Sequence, residues 1–91
     1  MTQLDKILRV KGYCFKSFFI RQDSYYRRKR RISVYEKKYY NFILRIYVSD
    51  NHETITDSYV LGKDGDLKNI DSASKKLEKE VEEIKNGLSS L

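Results

Sequence analysis

The chain has 91 residues, of which 40% are hydrophobic and 13% aromatic. This length suffices for one domain with one hydrophobic core and is too short for two, so residues 1–91 are predicted to form a single small domain. The apolar content excludes a disordered chain, although 35% of the residues are charged.

Positive charge is concentrated in the N-terminal half. Residues 1–45 carry thirteen Lys and Arg against three acids, a net charge of +10, whereas residues 46–91 carry six lysines and ten acids, a net charge of −4. Every arginine lies in the first half. Because guanidinium groups suit bidentate binding of phosphate, this asymmetry favours an anionic partner at one end of the molecule over a pattern that serves only solubility.

Candidate catalytic and metal-binding residues are few. Cys14 is the only cysteine, which excludes an internal disulfide and a cysteine-based zinc site, and its position between Tyr13 and Phe15 predicts a buried, inert thiol. His52, the only histidine, is interpreted as a solvated turn residue rather than a general base. We therefore expect no enzymatic activity, no metal and no cofactor. An enzymatic alternative is a small basic RNase that uses Arg, Lys and Tyr.

Membrane insertion is not expected from the sequence. The longest aliphatic or Phe runs, Phe18-Phe19-Ile20 and Phe42-Ile43-Leu44, are far below the roughly 20 apolar residues of a transmembrane helix. Charged residues also interrupt the N-terminal segment, which argues against a signal peptide. An intracellular, cytoplasmic protein is expected, with peripheral membrane binding as a less favoured alternative.

The first predicted element is a short helix. Thr2 and Asp5 are typical of a helix start, and Gly12 of a helix end. Residues 13–26 fit either a strand or a continuation of that helix, and their aromatic density favours the strand.

The central segment predicts an antiparallel meander. Positions 39–48 alternate strictly, with the even positions 40–48 expected to face the core. A short strand over 31–37 is expected to turn at Glu36-Lys37-Lys38, and residues 54–61 to return as a further strand after a turn at Asp50-Asn51-His52.

A helix is predicted from Asn69 or Asp71 to about Asn86, with Gly87 as its stop. The positions of its stripe are spaced alternately by four and three residues, and all but Ser74 are apolar: Ile70, Ser74, Leu77, Val81, Ile84, Leu88 and Leu91. Six charged residues are placed on the outer face: Lys75, Lys76, Lys79, Glu80, Glu82 and Glu83. The apolar stripe is interpreted as covering the sheet, and the alternative is a helix–helix seam of a homodimer. The predicted fold is α+β, with a short N-terminal helix, an antiparallel three- to four-stranded meander and a C-terminal amphipathic helix packed on the sheet.

The most distinctive local feature is a basic segment that follows two tyrosines. It comprises Arg27, Arg28, Lys29, Arg30 and Arg31. Phosphates neutralise such a run and release counterions, and neighbouring tyrosines can stack on bases. The alternatives are a solvated charge run or a nuclear-import signal.

A second feature is a predicted platform of aromatic and basic residues on the sheet face opposite the core. It comprises Tyr35, Lys37, Tyr39, Asn41, Arg45 and Tyr47, with Ile43 as an apolar exception. Such a surface can stack bases of a single strand or enter a DNA groove. The ribonucleoprotein sequence patterns of an RNA-recognition motif are missing. Replacing Tyr39 or Tyr47 by Ala is expected to weaken binding without unfolding the protein.

Together these features predict a small basic protein that binds nucleic acid, DNA or RNA, and that could serve as a regulator from a phage or mobile element. The basic segment is expected to grip phosphates while Tyr35, Tyr39, Arg45 and Tyr47 make closer contacts. The alternative is a protein-interaction module, such as an inhibitor of a host nucleic-acid enzyme, that uses exposed tyrosines as anchors.

Overall fold

A computed structural model describes residues 3–23, 28–50, 54–62 and 70–89, with only the backbone of residues 23, 28 and 89. Two helices flank four strands in the chain order α1 (Gln3–Val10), β1 (Cys14–Asp23), β2 (Arg28–Tyr39), β3 (Phe42–Ser49), β4 (Thr54–Gly62) and α2 (Ile70–Ser89). The predicted α+β fold is confirmed, and residues 14–23 form a strand, as their aromatic density favoured.

The four strands form one antiparallel sheet in the order β1-β2-β3-β4. The even positions of β3 from Phe42 to Val48 are buried, as the alternation predicted, and they share a hydrophobic core with residues of both helices. Tyr40, which was also expected to face the core, lies in the turn before β3 and is 86% exposed, so the prediction is wrong there. We call the core side of the sheet the helix-side face and the opposite side the open face. Strands β1 and β4 are the two edges.

The end of α1 is a Schellman motif. Gly12 has φ +96°, in the left-handed region that glycine adopts without strain. Its N–H donates to the carbonyl of Arg9 at 3.0 Å, and the N–H of Tyr13 donates to the carbonyl of Leu8 at 2.9 Å. The predicted stop at Gly12 is confirmed, and it turns the chain so that Tyr13 and Leu8 both enter the core.

Helix α2 differs from its prediction at two positions. It continues through Gly87 to Ser89, so the predicted stop at Gly87 is wrong. Gly87 lies beside α1, where a Cβ would make an ordinary contact, 3.7 Å from Cδ1 of Ile7. Glu80, predicted on the outer face, is 4% exposed. Leu77 and Ile84 are buried in the core, so the stripe covers the sheet, as the favoured interpretation held.

Two further expectations are wrong. The segment Glu36-Lys37-Lys38 is not a turn but part of β2, which continues to Tyr39. Cys14 is exposed rather than buried, since it lies on β1, an edge strand, on the open face opposite Glu36. Thr2, Asn69 and Leu91, and the turn residues Asn51 and His52, lie outside the described residues. Neither described helix is both long and apolar enough to cross a membrane.

Candidate functional site

The hairpin register decides which predicted site residues meet. Tyr39 pairs directly with Phe42 across a two-residue turn, in which Tyr40 has a φ of 55°. Each odd position of β2 therefore lies opposite an even position of β3, and directly opposed residues share a face. This places Tyr35, Lys37 and Tyr39 on the helix-side face, so their predicted position beside Arg45 and Tyr47 is wrong.

Tyr35 is committed to the contact between α1 and the sheet. The residue is 5% exposed, and its hydroxyl donates to Asp5 Oδ1 at 2.5 Å. That hydrogen bond lowers the pKa of Asp5, and the interaction with Arg9 adds to the shift against the opposing effect of burial. Burial raises the pKa of Tyr35, and the hydrogen bond to Asp5 raises it further. Tyr35 therefore has a structural role and is not accessible to a ligand.

Lys37 belongs to a polar cluster under α2, which we call the Glu80 cluster. Lys37 Nζ donates to Glu80 Oε1 at 2.7 Å, and Tyr13 Oη donates to Glu80 Oε2 at 2.5 Å. Lys76 Nζ lies 3.3 Å from Glu80 Oε1. Burial opposes ionisation of Glu80, but the hydrogen bonds from Lys37 and Tyr13 outweigh it and lower the pKa of Glu80. Because buried charges are retained when paired and hydrogen-bonded, this cluster is interpreted as holding α2 on the sheet.

The basic segment does not present one continuous surface. Residues 28–31 lie in β2, whose side chains alternate between faces. Arg30 is opposite Arg21 on the open face, whereas Lys29 and Arg31 are on the helix-side face opposite Gln22 and Ile20. Arg27 lies outside the described residues, and only the backbone of Arg28 is described.

Arg31 already has partners within the protein. Its Nε lies 3.2 Å from Asp50 Oδ2, and its guanidinium carbon lies 4.2 Å from the centroid of the Phe18 ring. Asp50 in turn accepts a hydrogen bond from the hydroxyl of Ser33. The Arg31 side chain remains half exposed, so a phosphate can still reach it in competition with Asp50.

The open face carries a row of three aromatic rings, which we call the aromatic row. Phe19 on β1 and Tyr47 on β3 meet edge to face with centroids 6.1 Å apart. Tyr47 and Tyr59 on β4 meet in the same way at 5.7 Å. Phe19 and Tyr59 are 43% and 52% exposed. The row runs across the sheet and offers ring surface to solvent at both ends.

Part of this row has a packing role. Phe19 is directly opposite Ile32, and Tyr47 is directly opposite Val34. Ile32 and Val34 are buried, although no described helix covers the open face. The two rings therefore shield these aliphatic side chains from water. Tyr59 is more exposed than Phe19 and is opposite Arg45 rather than an aliphatic residue.

A shallow cavity of about 370 Å³ adjoins the aromatic row. It is lined by Phe19, Arg21, Ile32, Tyr47, Thr56, Asp57 and Tyr59. Thr56 is the extra residue of a β-bulge on β4, because Asp57 pairs with Tyr47 and Ile55 pairs with Val48. Such bulges re-aim side chains at sheet edges. The volume falls within the range of small-ligand sites. Apolar walls with a cation and a carboxylate at the margin suit a flat ring that carries polar groups.

Arginines surround the row. Arg45 Nε donates to Glu36 Oε2 at 2.7 Å, and Arg45 Nη1 lies 3.4 Å from Tyr47 Oη; these contacts raise the pKa of Arg45. On the open face, the described side chains include four cations, namely Arg21, Arg30, Lys38 and Arg45, and two carboxylates, namely Glu36 and Asp57. The face is therefore net positive.

Sequence reasoning identified Arg45 and Tyr47 but missed Phe19, Arg21 and Tyr59. Phe19 and Arg21 belong to the segment whose structure was ambiguous from the sequence. They are two residues apart, and on a strand this spacing places both side chains on the same face. Tyr59 lies on the predicted strand over residues 54–61, and only its pairing with β3 places it beside Tyr47. In the described part of the chain, no three His, Cys, Asp or Glu side chains are grouped to hold a metal ion.

Comparison of the chain with protein-family models, with curated proteins and with solved structures finds no match.

Proposed function

We propose that this protein binds single-stranded nucleic acid, DNA or RNA, across the open face of its sheet. Bases stack on Phe19 and Tyr59, and phosphates are met by Arg21 and by Arg30, the described member of the basic segment that lies on the open face. The observation that carries the proposal is the aromatic row on a face that no described helix covers. Of the platform predicted from the sequence, this interface includes Arg45 and Tyr47. It does not include Tyr35, Lys37 and Tyr39, and residues of the two edge strands take their place.

The chemistry of the row supports a ligand with flat rings. Base–aromatic stacking contributes roughly 1–3 kcal/mol per base and tolerates any sequence, since every base has a π face. Two bases of one strand can stack on the rings at the two ends of the row, because Phe19 and Tyr59 are both about half exposed. Rings on an open sheet are the usual platform for unpaired bases.

The charge around the row supports an anionic backbone. Arg21 lines the cavity between Phe19 and Tyr59, where it can contact a phosphate while a base stacks beside it. Arg30, directly opposite Arg21, brings a second cation to the same edge. Asp57 on the opposite wall repels a phosphate and favours an orientation in which the backbone passes over the arginines.

The test is a fluorescence-anisotropy titration of labelled single- and double-stranded DNA and RNA at two salt concentrations. Tyr59→Ala should weaken binding of single strands by roughly 5- to 150-fold, which corresponds to one lost stacking contact. The matched control is Tyr40→Ala, since Tyr40 is 86% exposed and lies in the β2–β3 turn, away from the row. Equal effects of the two substitutions would refute the aromatic row as the binding surface.

Two charge variants test the orientation. Arg21→Gln should reduce the slope of log K against log salt by about 0.7, the value for one phosphate contact on a single strand. Lys79→Gln, an equal change of charge on the exposed side of α2, should leave the slope unchanged. Asp57→Asn should strengthen binding of an anion and would weaken binding of a cation. Failure of every nucleic acid to bind at low salt would refute the proposal and favour the protein-interaction alternative.

A further inference from the structure

Strand β1 is an edge of the sheet with unusual exposure of large apolar side chains. On the helix-side face, Phe15, Phe18 and Ile20 are 40%, 53% and 54% exposed, and Phe19 on the open face is 43% exposed. A sheet edge also presents backbone N–H and C=O groups that lack a neighbouring strand. Apolar side chains beside a free backbone ladder are typical of a surface that pairs with another strand.

The other edge of the sheet is protected differently. The helix-side face of β4 is covered by α2, with Val60 and Ile55 packed against the core, and the strand carries a β-bulge at Thr56. The bulge, which lies within the strand rather than near its end, discourages pairing of a further strand. Strand β1 has its bulge near one end, between Phe15 and Ser17, and is regular from Ser17 to Asp23. The two edges therefore differ in their readiness to pair.

We propose that a second copy of this chain pairs with β1 in antiparallel fashion, which joins two four-stranded sheets into one sheet of eight strands. This proposal does not rest on the proposed function. It replaces the α2 seam considered from the sequence, because Leu77 and Ile84 of that stripe are buried within a single copy.

The sequence of β1 is compatible with pairing to itself. A two-fold axis perpendicular to the sheet, passing beside Phe19, places Phe19 opposite the partner's Phe19 on the open face. On the helix-side face it places Phe18 opposite the partner's Ile20. Arg21 then faces the partner's Ser17, so that no two like charges are directly opposed, whereas centring the axis on Arg21 would oppose two arginines.

The area available is sufficient for a stable pair. A large apolar side chain offers about 200 Å², so the exposed fractions of Phe15, Phe18 and Ile20 leave about 80–110 Å² on each. Complete burial of these three side chains in both copies would cover roughly 550 Å² of apolar surface and leave the ring face of Phe19 open. Addition of the paired backbones and the polar side chains of β1 brings the interface to the range of roughly 1,000 Å² and above that specific dimers require.

The oligomeric state tests the proposal. The molar mass of the intact protein, measured by light scattering after gel filtration, should be that of a dimer at micromolar concentration, and Ile20→Asp should give a monomer. Val10→Asp is the matched control, because Val10 is 87% exposed at the end of α1 and the change of charge is the same; it should remain dimeric. A monomeric natural protein, or an Ile20→Asp variant that stays dimeric, would overturn the proposal.

Disulfide trapping tests the register and does not depend on how well the Asp variant folds. In a Cys14→Ser background, Phe19→Cys should cross-link two copies on mild oxidation, since directly opposed Cα atoms lie within disulfide range. Ser17→Cys should not, because its nearest equivalent lies several residues along the partner strand. Cross-linking of both variants alike would indicate random collision and would overturn the proposed pairing.

Because Ile20 is on the helix-side face, the Ile20→Asp variant retains the aromatic row, so loss of the dimer and loss of nucleic-acid binding can be distinguished.

Discussion

The substitution Glu80→Gln measures how much a buried carboxylate contributes to the free energy of unfolding. The sequence pattern predicted this carboxylate on the outer face of α2. The glutamine keeps the size of the side chain and one oxygen for the Tyr13 hydroxyl, but it removes the charge that faces Lys37. Glu80 is 5% exposed at its side chain, while that of Lys37 is 23% exposed and can recover some hydration. A hydrogen bond to a charged group contributes roughly 1.5–3 kcal/mol, and this partial exposure keeps the loss below the roughly 3–5 kcal/mol of a fully buried pair. We expect the free energy of unfolding to fall by about 2 kcal/mol.

Urea and thermal unfolding followed by circular dichroism measure this loss. For a domain of this size, 2 kcal/mol corresponds to a decrease in Tm of roughly 8–16 °C. The control is Glu82→Gln, the same chemical change at an exposed position of α2, which should alter stability by less than about 0.5 kcal/mol. Equal stability of the two variants would show that the Glu80 cluster does not hold α2 on the sheet.

The pH dependence of unfolding gives an independent check on Glu80. Its pKa in the folded protein is lowered from the ordinary value of 4.5, so the ionised carboxylate stabilises the fold at any pH above that value. This stabilisation is lost as the pH falls through the lower, folded pKa. The difference in stability between the natural protein and Glu80→Gln should therefore be constant near neutrality and shrink below pH 4.5. A difference that is unchanged at acidic pH would contradict the assignment.

Three further predictions concern the fold. Gly12→Ala should lower the free energy of unfolding by about 1–2 kcal/mol, because φ is +96° there and an L residue is strained in that region. Gly12→Asn should lower it less. Equal stability of Gly12→Ala and the natural protein would contradict this prediction. Gly62→Ala should cost about 1–3 kcal/mol, since the new Cβ would lie 2.9 Å from Cε1 of buried Phe42. Combining it with Phe42→Leu should give a less than additive loss in urea unfolding, and strict additivity would exclude the clash. Tyr35→Phe should raise the pKa of Asp5, because the Tyr35 hydroxyl is the main cause that lowers it; NMR titration of the carboxyl carbon measures this, and an unchanged pKa would refute it.

Much of the architecture could be predicted because it depends on short-range patterns. The alternation from Phe42 to Val48 identified both the strand and its buried face, since side chains of a strand point to opposite sides with a period of two. The glycine at position 12 identified the end of α1 because only a left-handed residue closes a Schellman motif there. The stripe through Leu77 and Ile84 identified α2 and its buried side.

The composition of the candidate site could not be predicted because it depends on register. Whether the β2–β3 turn occupies residues 36–38 or residues 40–41 changes the parity of the pairing, and a change of parity moves every side chain of β2 to the other face. That one difference turns Tyr35, Lys37 and Tyr39 from a predicted binding surface into core and cluster residues.

The sequence by itself determined the number and type of most elements, the charge asymmetry and the apolar face of β3, because each depends on residues close together in the chain. Only the tertiary structure decided which side chains share a surface. Phe19, Tyr47 and Tyr59 come from three strands and meet only after two hairpins have set their registers. Glu80 is buried because Tyr13 and Lys37, distant in sequence, supply its partners. Such contacts are set by the pairing of strands and the docking of helices, which no local pattern encodes.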